Sequence, residues 1–560
     1  MSRRTWITLP LMGVVALGLA CGGAAAPTTT QAPAAPAAAA TATRAPAAAA
    51  ATATRVAAAA PTVAASAKAT GKVTYAVAGS AGVSGTATDF DPGAWQGGYR
   101  GFYHQIYEPL MFMNDEGTNY LSPILAESWE MAKDGLSWTF HLRKGVKFHN
   151  GEDFTAAVMV KNIQRAKGLG APFILGNTAG FETPDTHTMV MKLKGPDLGL
   201  LSRLVYGGKT GYPAPAGYID AVGEAGLRRH PIGTGPYKMV SFNPQAPELV
   251  MEVWEGWGGY AGTRPTVKTA REIGIPEETV RIAALATGEV DVIALTPGPH
   301  LREFRGGSLR VYSGTQINSV EFLKQSDPTS PYSDVRVRQA MNYAVDKQAI
   351  IDALLGGAAT VSASMIEATS FGFDPNLKPY PYDPEKARRL LAEAGYAGGL
   401  DGGVILATTA QARLLGQAIA DYLGKVGMRI RVSPIEAATQ SRHWILPNHD
   451  LNTLGDLAFQ GSSLGGDGDY RIESFFTKWG QYSYIRDNEL DSLYESTLKT
   501  LDQRERERIL QQLARMTNER AYKVFLYHQK FVWGVGPRIA EWTPNVGEGQ
   551  SVNANTVRLK

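Results

Sequence analysis

The sequence has one thiol, Cys21, in 560 residues, and its position indicates covalent attachment of lipid. Two arginines precede a short apolar run, 6–20, which ends in small residues, as in a cleaved export signal. The run is too short and wrongly flanked to span a bilayer. Cleavage after Ala20 would leave Cys21 first in the mature chain, as in a bacterial lipoprotein. We therefore predict a signal peptide over 1–20 and a lipid anchor on Cys21, with an ordinary signal and a free thiol as the alternative.

Several motifs that would build an enzyme or cofactor site are missing from the sequence. It contains no His-Glu-x-x-His, no phosphate-binding P-loop and no Cys-x-x-Cys pair. The run Gly233-Thr234-Gly235 continues into Pro236, which spoils a dinucleotide-binding loop. The nine histidines are scattered. The sequence therefore predicts neither a dedicated metal site nor a cofactor.

The segment after the predicted cleavage point has the composition of a solvated tether. Residues 21–70 are mostly Ala, Pro and Thr, and no Asp or Glu occurs before Asp89. With almost nothing large to bury, such a segment cannot offset the entropy lost on ordering. Five prolines between 27 and 61 would also interrupt an Ala-rich helix. Fully extended, the tether would reach on the order of 150 Å.

The rest of the chain has the composition of a folded protein. All 23 tyrosines follow residue 70. This length exceeds what one hydrophobic core usually sustains, so at least two lobes are expected. The formal charge of +3 becomes +1 once the two signal arginines are removed. Neither nucleic acid nor a polyacidic target is therefore expected as a partner.

Helix and strand patterns alternate along this body, which predicts sheets covered by helices. One example is the helix that begins at Asp383 and Pro384 and ends at Gly395. Another is the run from 334 to 355, where apolar residues keep helical spacing. The other expected elements are a strand, a turn and a second strand over 136–148, helices over 155–165, 277–287 and 414–426, and strands over 290–295 and 428–432.

Six short segments carry a more specific signal. They read LAESW (125–129), WTFHLRKGVKFHNG (138–151), GTGPYK (233–238), LATGEVD (285–291), DVRVRQAMNYAVDKQAII (334–351) and YDPEKARRLLAEAGY (382–396). In order and spacing they resemble the extracytoplasmic solute-binding proteins of ABC importers, in the large family 5 of oligopeptide, dipeptide and nickel binders. The matching segments cover about 120 to 400, and weaker similarity extends to about 535.

This resemblance implies an α/β, bilobal periplasmic-binding-protein-like fold of type II, cluster C. Two mixed-sheet lobes would be joined by hinge strands and would close on a ligand. The first lobe would hold 72–294 and the returning tail 530–560, with an accessory subdomain near 119–232. The second lobe would hold 295–529. The implied function is that of a monomeric receptor, not an enzyme, which captures a small solute and delivers it to a membrane permease and its ATPase.

A peptide is the leading ligand, and the resemblance implies which residues would bind it. The ammonium end of a peptide needs a carboxylate. Peptide-binding members place an Asp late in the second lobe, where Asp467 or Asp469 could supply it. Both are left open, and a Gly-Asp turn is the alternative explanation. Aromatic residues early in the first lobe are implied to line the cleft, with the hydrophobic core as their alternative place: Trp95, Tyr99, Tyr103 and Tyr107.

Other polar residues and other ligands receive less weight. His149 lies in a Phe-His-Asn-Gly turn, which we interpret as structural. Arg336 and Arg338 alternate on a helix face that we expect to be solvated or between the lobes, with capture of a ligand carboxylate as a lesser alternative. Relatives of this fold also take nickel chelates, opines and oligosaccharides. The alternative from another class is a tethered hydrolase of peptides or sugars.

Overall fold

A computed structural model describes residues 68–78, 90–93, 103–113, 121–168, 175–206, 211–243, 248–260, 262, 264–305, 307–444, 449–462, 468–544 and 552–560. The predicted signal peptide, Cys21 and all but the last residues of the predicted tether lie outside these ranges. The described residues belong to one compact unit. Within them, every helix falls short of the length and hydropathy needed to cross a membrane.

Nineteen strands are assigned within the described ranges. They are β1 Thr70–Val77, β2 Met111–Met113, β3 Leu121–Pro123, β4 Ala126–Met131, β5 Ser137–Leu142, β6 Thr178–Asp185, β7 Thr188–Leu193, β8 Tyr237–Asn243, β9 Glu248–Val253, β10 Val267–Gly274, β11 Val292–Leu295, β12 Ser308–Phe322, β13 Ala359–Val361, β14 Leu400–Ala407, β15 Met428–Pro434, β16 Leu457–Ser462, β17 Lys523–Val535, β18 Ile539–Glu541 and β19 Arg558–Leu559.

Thirteen α-helices accompany them in the same ranges. They are α1 Tyr103–Ile106, α2 Ala156–Gly168, α3 Leu200–Tyr206, α4 Ala216–Arg229, α5 Glu278–Thr287, α6 Val335–Ala344, α7 Lys347–Leu354, α8 Pro384–Glu393, α9 Ala410–Gly424, α10 Ala437–Trp444, α11 Gly468–Phe476, α12 Asn488–Thr497 and α13 Gln503–Glu519.

Eleven strands form one mixed sheet. Its order is β15-β14-β16-β12-β17-β11-β1-β10-β9-β8, and β13 pairs with β17 beside this path. A separate antiparallel sheet has the order β4-β5-β7-β6. The long antiparallel strands β12 and β17 therefore join one half of the large sheet, which contains β1, β10 and β11, to the other half, which contains β14, β15 and β16.

The parallel strands of the two halves point toward each other. On one side, β1 runs parallel to β10 and β11, and Leu295 at the carboxyl end of β11 pairs with Val532 of β17. On the other side, β14 runs parallel to β15 and β16, and Ser462 at the carboxyl end of β16 pairs with Ile317 of β12. Both sets of carboxyl ends therefore face the middle of β12 and β17.

The ladder between β12 and β17 is interrupted in this middle region. Tyr312 pairs with Phe531, but the next pair is Gln316 with Gln529, so extra residues of β12 stand unpaired. Gly314 lies at the interruption, where an added Cβ would come within 2.1 Å of the Gln529 carbonyl oxygen. The close approach of the two backbones therefore requires a residue without a side chain.

Most buried hydrophobic residues form separate cores on the two halves, and one small core joins Ala358 of the second half to Ala76 and Leu285 of the first. The first core takes buried residues from 73–294 and 531–557, among them Tyr75, Trp533 and Trp542. The second half has two main cores, one around α6 and α9 and one around α11, α12 and α13. A further core over 110–205 packs α2 and α3 with the four-stranded sheet.

Most of the expected elements are present, but two expectations were wrong. The second strand expected within 136–148 is only an isolated bridge between Lys147 and Asp153, although Gly145 does turn the chain, with φ 73°. The helix expected over 334–355 is two helices, because Val345 is extended and the Asp346 side chain accepts the Ala349 N–H to cap α7. A side chain that competes for backbone donors outweighed the uninterrupted apolar spacing.

Glu272 of β10 is an ionisable group inside the first half. Its side chain is fully buried, and neither carboxyl oxygen has a hydrogen-bond partner in the described part of the chain. Burial raises the pKa of this carboxyl well above its usual range, because a charge would be poorly solvated there. The folded state therefore keeps a proton that the unfolded state releases near its ordinary pKa.

We predict that this proton makes stability fall with rising pH. Above the unfolded-state pKa the cost grows by about 1.4 kcal/mol per pH unit, until the folded-state pKa is reached. Urea unfolding of wild type and Glu272→Gln at pH 5 and pH 8 measures this effect. The free energy of unfolding of the variant, relative to that of wild type, should increase as the pH rises. Glu252→Gln, at an exposed site on β9, is the control. Parallel pH profiles for wild type and Glu272→Gln would contradict the prediction.

Candidate functional site

The candidate site is the place where the two sets of strand ends meet. In open α/β sheets, ligands bind in the crevice outside the carboxyl ends of the parallel strands. Here two such sets face each other, and we call the space between them, floored by the middle of β12 and β17, the strand junction. The turns that leave the strand ends, such as 296–298 after β11 and 435–436 after β15, border it.

Polar side chains interrupt both connecting strands at the junction. Gln316 faces Gln529 across the ladder, and Asn318 lies opposite Gly461 of β16. The Asn318 Nδ2 group is buried and has no hydrogen-bond partner among the described residues. A Cβ at Gly461 would lie 3.5 Å from Asn318 Oδ1, so the glycine leaves Asn318 uncovered on that side. These residues were not among the predicted site residues, although polar interruptions of apolar strands are a visible signal in the sequence.

The structure gives Asp469 internal partners. Asp467 lies outside the described residues, directly before α11. Asp469 is on the first turn of α11 and 1% exposed; its carboxylate pairs with Arg506 and accepts a hydrogen bond of 3.3 Å from Thr497 Oγ1. These contacts join α11, α12 and α13. A role for either aspartate in binding ligand stays a prediction.

The predicted cleft aromatics are only partly covered by the structure. Trp95 and Tyr99 lie outside the described residues. Tyr103 begins α1, but its side chain is not described. Tyr107 is 1% exposed in the first core, and its hydroxyl donates to the Phe90 carbonyl oxygen over 3.0 Å. Its described environment is thus the hydrophobic core, and ligand contact stays a prediction.

His149 has the structural role that we expected. Its Nε2 atom lies 2.9 Å from the Gly235 carbonyl oxygen, which only accepts, so Nε2 carries the proton. Its Nδ1 atom accepts the Gly233 N–H over 3.3 Å. Burial lowers the pKa of His149 to about 4, so the ring is neutral at pH 7. It ties the Phe-His-Asn-Gly turn to the Gly-Thr-Gly-Pro segment.

The two arginines of α6 differ in exposure. Arg336 is half-exposed and pairs with Asp334, as expected of a solvated face. For Arg338 that expectation was wrong: it is 6% exposed, because its guanidinium group lies against the turn before α6 and the end of α13. It donates to the carbonyl oxygens of Tyr332, Ser333, Arg520 and Ala521. Its donors are used within the second half.

A serine and a histidine lie side by side near the junction. Ser362 Oγ is 2.9 Å from His528 Nε2, and burial lowers the pKa of His528 to about 4. The same Nε2 atom lies 3.1 Å from the Ser364 carbonyl oxygen, so it carries a proton and cannot take one from Ser362. The pair is therefore not a nucleophile with its general base.

A further serine pattern was overlooked in the sequence. Residues 461–465 read Gly-Ser-Ser-Leu-Gly, which fits the Gly-x-Ser-x-Gly turn that some hydrolases place between a strand and a helix. Its first two residues, Gly461 and Ser462, end β16, and the other three lie outside the described residues. Its serine, Ser463, lies outside the described residues. In the described part of the chain, no three His, Cys, Asp or Glu side chains gather as they do around a metal ion.

The fold and the strand junction define a two-lobed α/β binding protein. Residues 121–482 match the model of the bacterial extracellular solute-binding proteins, family 5, and the chain belongs to this family. The fold class and the family predicted from the sequence are thereby confirmed.

Curated relatives and solved structures agree with this assignment. Heme-binding protein A of Haemophilus influenzae is 28% identical over 480 residues, covering 79% of this chain and 85% of that protein. The dipeptide-binding protein of Escherichia coli is 31% identical over 312 residues, covering 50% and 56%. The periplasmic binding protein DppA of Helicobacter pylori, solved with the peptide STSA, has a TM-score of 0.72 at 22% identity, covering 88% and 98%. At this identity the last likeness supports the fold alone.

We predict that the two candidate aspartates differ in their effect on stability. Asp469→Asn leaves the buried Arg506 without its carboxylate and should lower the free energy of unfolding by about 3–5 kcal/mol. If Asp467 binds the ammonium end of a peptide, Asp467→Asn should leave stability unchanged and weaken binding by about two decades or more. Urea unfolding and calorimetric titration measure the two effects.

An N-acetylated peptide is the matched control for this pair, because it lacks the ammonium charge. It should bind wild type and Asp467→Asn equally. Equal binding of the free-amine peptide by both proteins would reject Asp467 as the residue that binds the ammonium end. A free energy of unfolding of Asp469→Asn equal to that of wild type would reject the structural role of Asp469.

Proposed function

We propose that the protein is a lipid-anchored receptor that binds a peptide in the strand junction, closes around it and delivers it to an ABC permease and its ATPase. The observation that carries the proposal is the pair of facing strand ends, because a ligand held there contacts both halves at once. A ligand that contacts both halves favours the closed form by its differential affinity. The protein acts as a monomer and releases its ligand unchanged.

We propose the lobe boundaries that the sequence led us to expect. One lobe would hold 72–294 and 530–560, with the accessory subdomain near 119–232, and the other would hold 295–529. Four of the hydrophobic cores lie within one or the other of these lobes and support this division. One refinement follows from the pairing of β12: its first residues face Val532–Val535, and Tyr312 packs against the first core, so the start of β12 moves with the first lobe.

A peptide is favoured as ligand by chemistry and by similarity. Peptide backbones offer alternating donors and acceptors, and the junction supplies amide side chains at Gln316, Asn318 and Gln529. The buried Nδ2 of Asn318 has no partner among the described residues, and a peptide carbonyl in the junction would supply one. The Escherichia coli relative is named a dipeptide-binding protein. Heme, the ligand in the name of the Haemophilus relative, is the competing candidate, and oligosaccharides, opines and nickel chelates remain alternatives.

We predict that peptides of two to five residues bind and stabilise the protein. A ligand at about 100 times its dissociation constant adds about 2.7 kcal/mol to the free energy of unfolding. The radius of gyration in X-ray scattering should fall on binding, and mass spectrometry should recover the peptide intact. Asn318→Ala should weaken binding by up to about tenfold, and Asn488→Ala, at an exposed site, should not.

Two outcomes would contradict parts of this proposal. If wild type cleaves the peptide and Ser463→Ala leaves it intact, the protein is a hydrolase instead. Compaction with heme and none with any peptide would keep the receptor and replace its ligand.

The lipid anchor gives a separate prediction. Full-length protein expressed in bacteria should partition into detergent and carry added mass of acyl chains at Cys21, which Cys21→Ser should abolish. Because the anchor is far from the junction in sequence, peptide affinity of the variant should equal that of wild type. A soluble, unmodified wild-type chain would leave the ordinary signal as the explanation.

A further inference from the structure

Helices α3 and α11 meet at a buried ionic contact between two separate cores. Leu200, Leu201, Leu204 and Val205 of α3 pack in the core over 110–205. The apolar residues of α11 pack with α12 and α13. These two cores share no hydrophobic residue among those described. The contact between the helices is therefore made by polar groups.

Arg203 is at the centre of this contact. Its Nη1 atom lies 2.8 Å from Oε2 of Glu473 on α11, 270 residues away in sequence. Its Nη2 atom pairs with Asp197, just before α3. The side chains of Arg203, Asp197 and Glu473 are 6%, 2% and 19% exposed. Charges removed from water to this extent stabilise a structure only while they remain paired.

Asp197 and Arg203 are held in place by contacts that do not involve α11. Asn177 Nδ2 donates to the Asp197 carboxylate over 3.2 Å, and Trp138 Nε1 donates to the Asp197 carbonyl oxygen over 3.2 Å. Asp197 therefore holds Arg203 in place through contacts within its own core. Glu473 is the only one of the three charged groups that comes from the other half.

The backbones also fit closely here. The Leu198 N–H donates to the Leu498 carbonyl oxygen over 3.4 Å. A Cβ on Gly199 would lie 3.0 Å from Arg203 Nη1, 3.3 Å from Leu498 Cδ2 and 3.5 Å from Tyr494 Oη, so the first two contacts would be tight. A larger side chain at 199 would displace the Arg203 guanidinium group and crowd the end of α12. Position 199 thus offers a way to disturb the contact by size, without removing a charge.

The location relates this contact to the junction. Helix α11 begins six residues after Ser462, the carboxyl end of β16 that points toward the first half. A polar contact can separate and be rehydrated, whereas shared apolar cores cannot separate cheaply. The contact between α3 and α11 therefore lies near the junction and is made by polar groups, as a contact that opens and closes requires.

We propose that Arg203 and Glu473 form a latch: the pair forms when the lobes close on ligand, breaks when they open, and sets how long the ligand is held. The inference rests on the proposed function, since it requires lobes that move. By linkage, a contact made only in the closed form raises apparent affinity by raising the population of that form.

Two variants weaken the latch by different means. Glu473→Met removes the acceptor but leaves Arg203 paired with Asp197, and Gly199→Phe displaces Arg203 and crowds the end of α12 without removing a charge. Each should speed ligand release at least tenfold in stopped-flow dissociation. Each should also increase the radius of gyration of the ligand-bound protein in X-ray scattering. Arg515→Met, which removes an ion pair with Asp374 within the second half, is the control and should release at the wild-type rate.

A distance measurement separates loss of the latch from loss of folding. Spin labels at Lys194→Cys and Lys499→Cys, both at exposed sites, report the distance between the accessory subdomain and the end of α12. In protein with an intact latch, ligand should shorten the distance between the labels and narrow its distribution. In protein with either latch substitution, the distribution should stay broad after ligand is added, while thermal unfolding remains cooperative. Unchanged release and an unchanged distance on adding ligand would overturn the latch while binding stands. If no peptide or heme binds wild type, the proposed function fails instead.

Discussion

The antiparallel pairing of β12 with β17 is the interaction on which the rest of the structure depends. These two strands carry the hydrogen bonds that make two half-sheets into one, and they are long enough to have one end in each half. Because a strand has a direction, the pairing also fixes which way the neighbouring parallel strands run. Their carboxyl ends must then face each other, and the ligand-binding crevice follows from the topology rather than from any one side chain.

The interruption of that ladder at Gly314 gives the connection its freedom to bend. Fewer hydrogen bonds join the strands where the two halves meet than within either half. Most buried apolar residues lie in cores on one side or the other, and one small core crosses, in which Ala358 packs with Leu285 and Val532. Away from the strands the halves also meet through polar groups, as at Arg203 and Glu473. Apolar burial thus acts mainly within each half, and hydrogen bonds, charges and this small core hold the halves to each other.

Buried charge has two uses in this chain. Asp469 with Arg506 and Arg338 with its four carbonyl oxygens fix helices within one half, where the partners cannot separate without unfolding. Glu272 has no partner in the described part of the chain and accepts protonation instead. The same residue types therefore stabilise, destabilise or connect according to what surrounds them, which neither composition nor spacing reveals.

The sequence by itself determined the family, the α/β class and most helices and strands, because capping residues, apolar periodicity and short motifs are local. It failed where local signals conflicted, as at Val345 and Asp346, where a cap divided an apolar run. Only the tertiary structure decided that Asp469 is held by Arg506, that Asn318 faces a bare glycine, and that Arg203 meets Glu473. Each of these depends on segments distant in sequence being brought together, and strand pairing with core packing, not spacing along the chain, decides which segments meet.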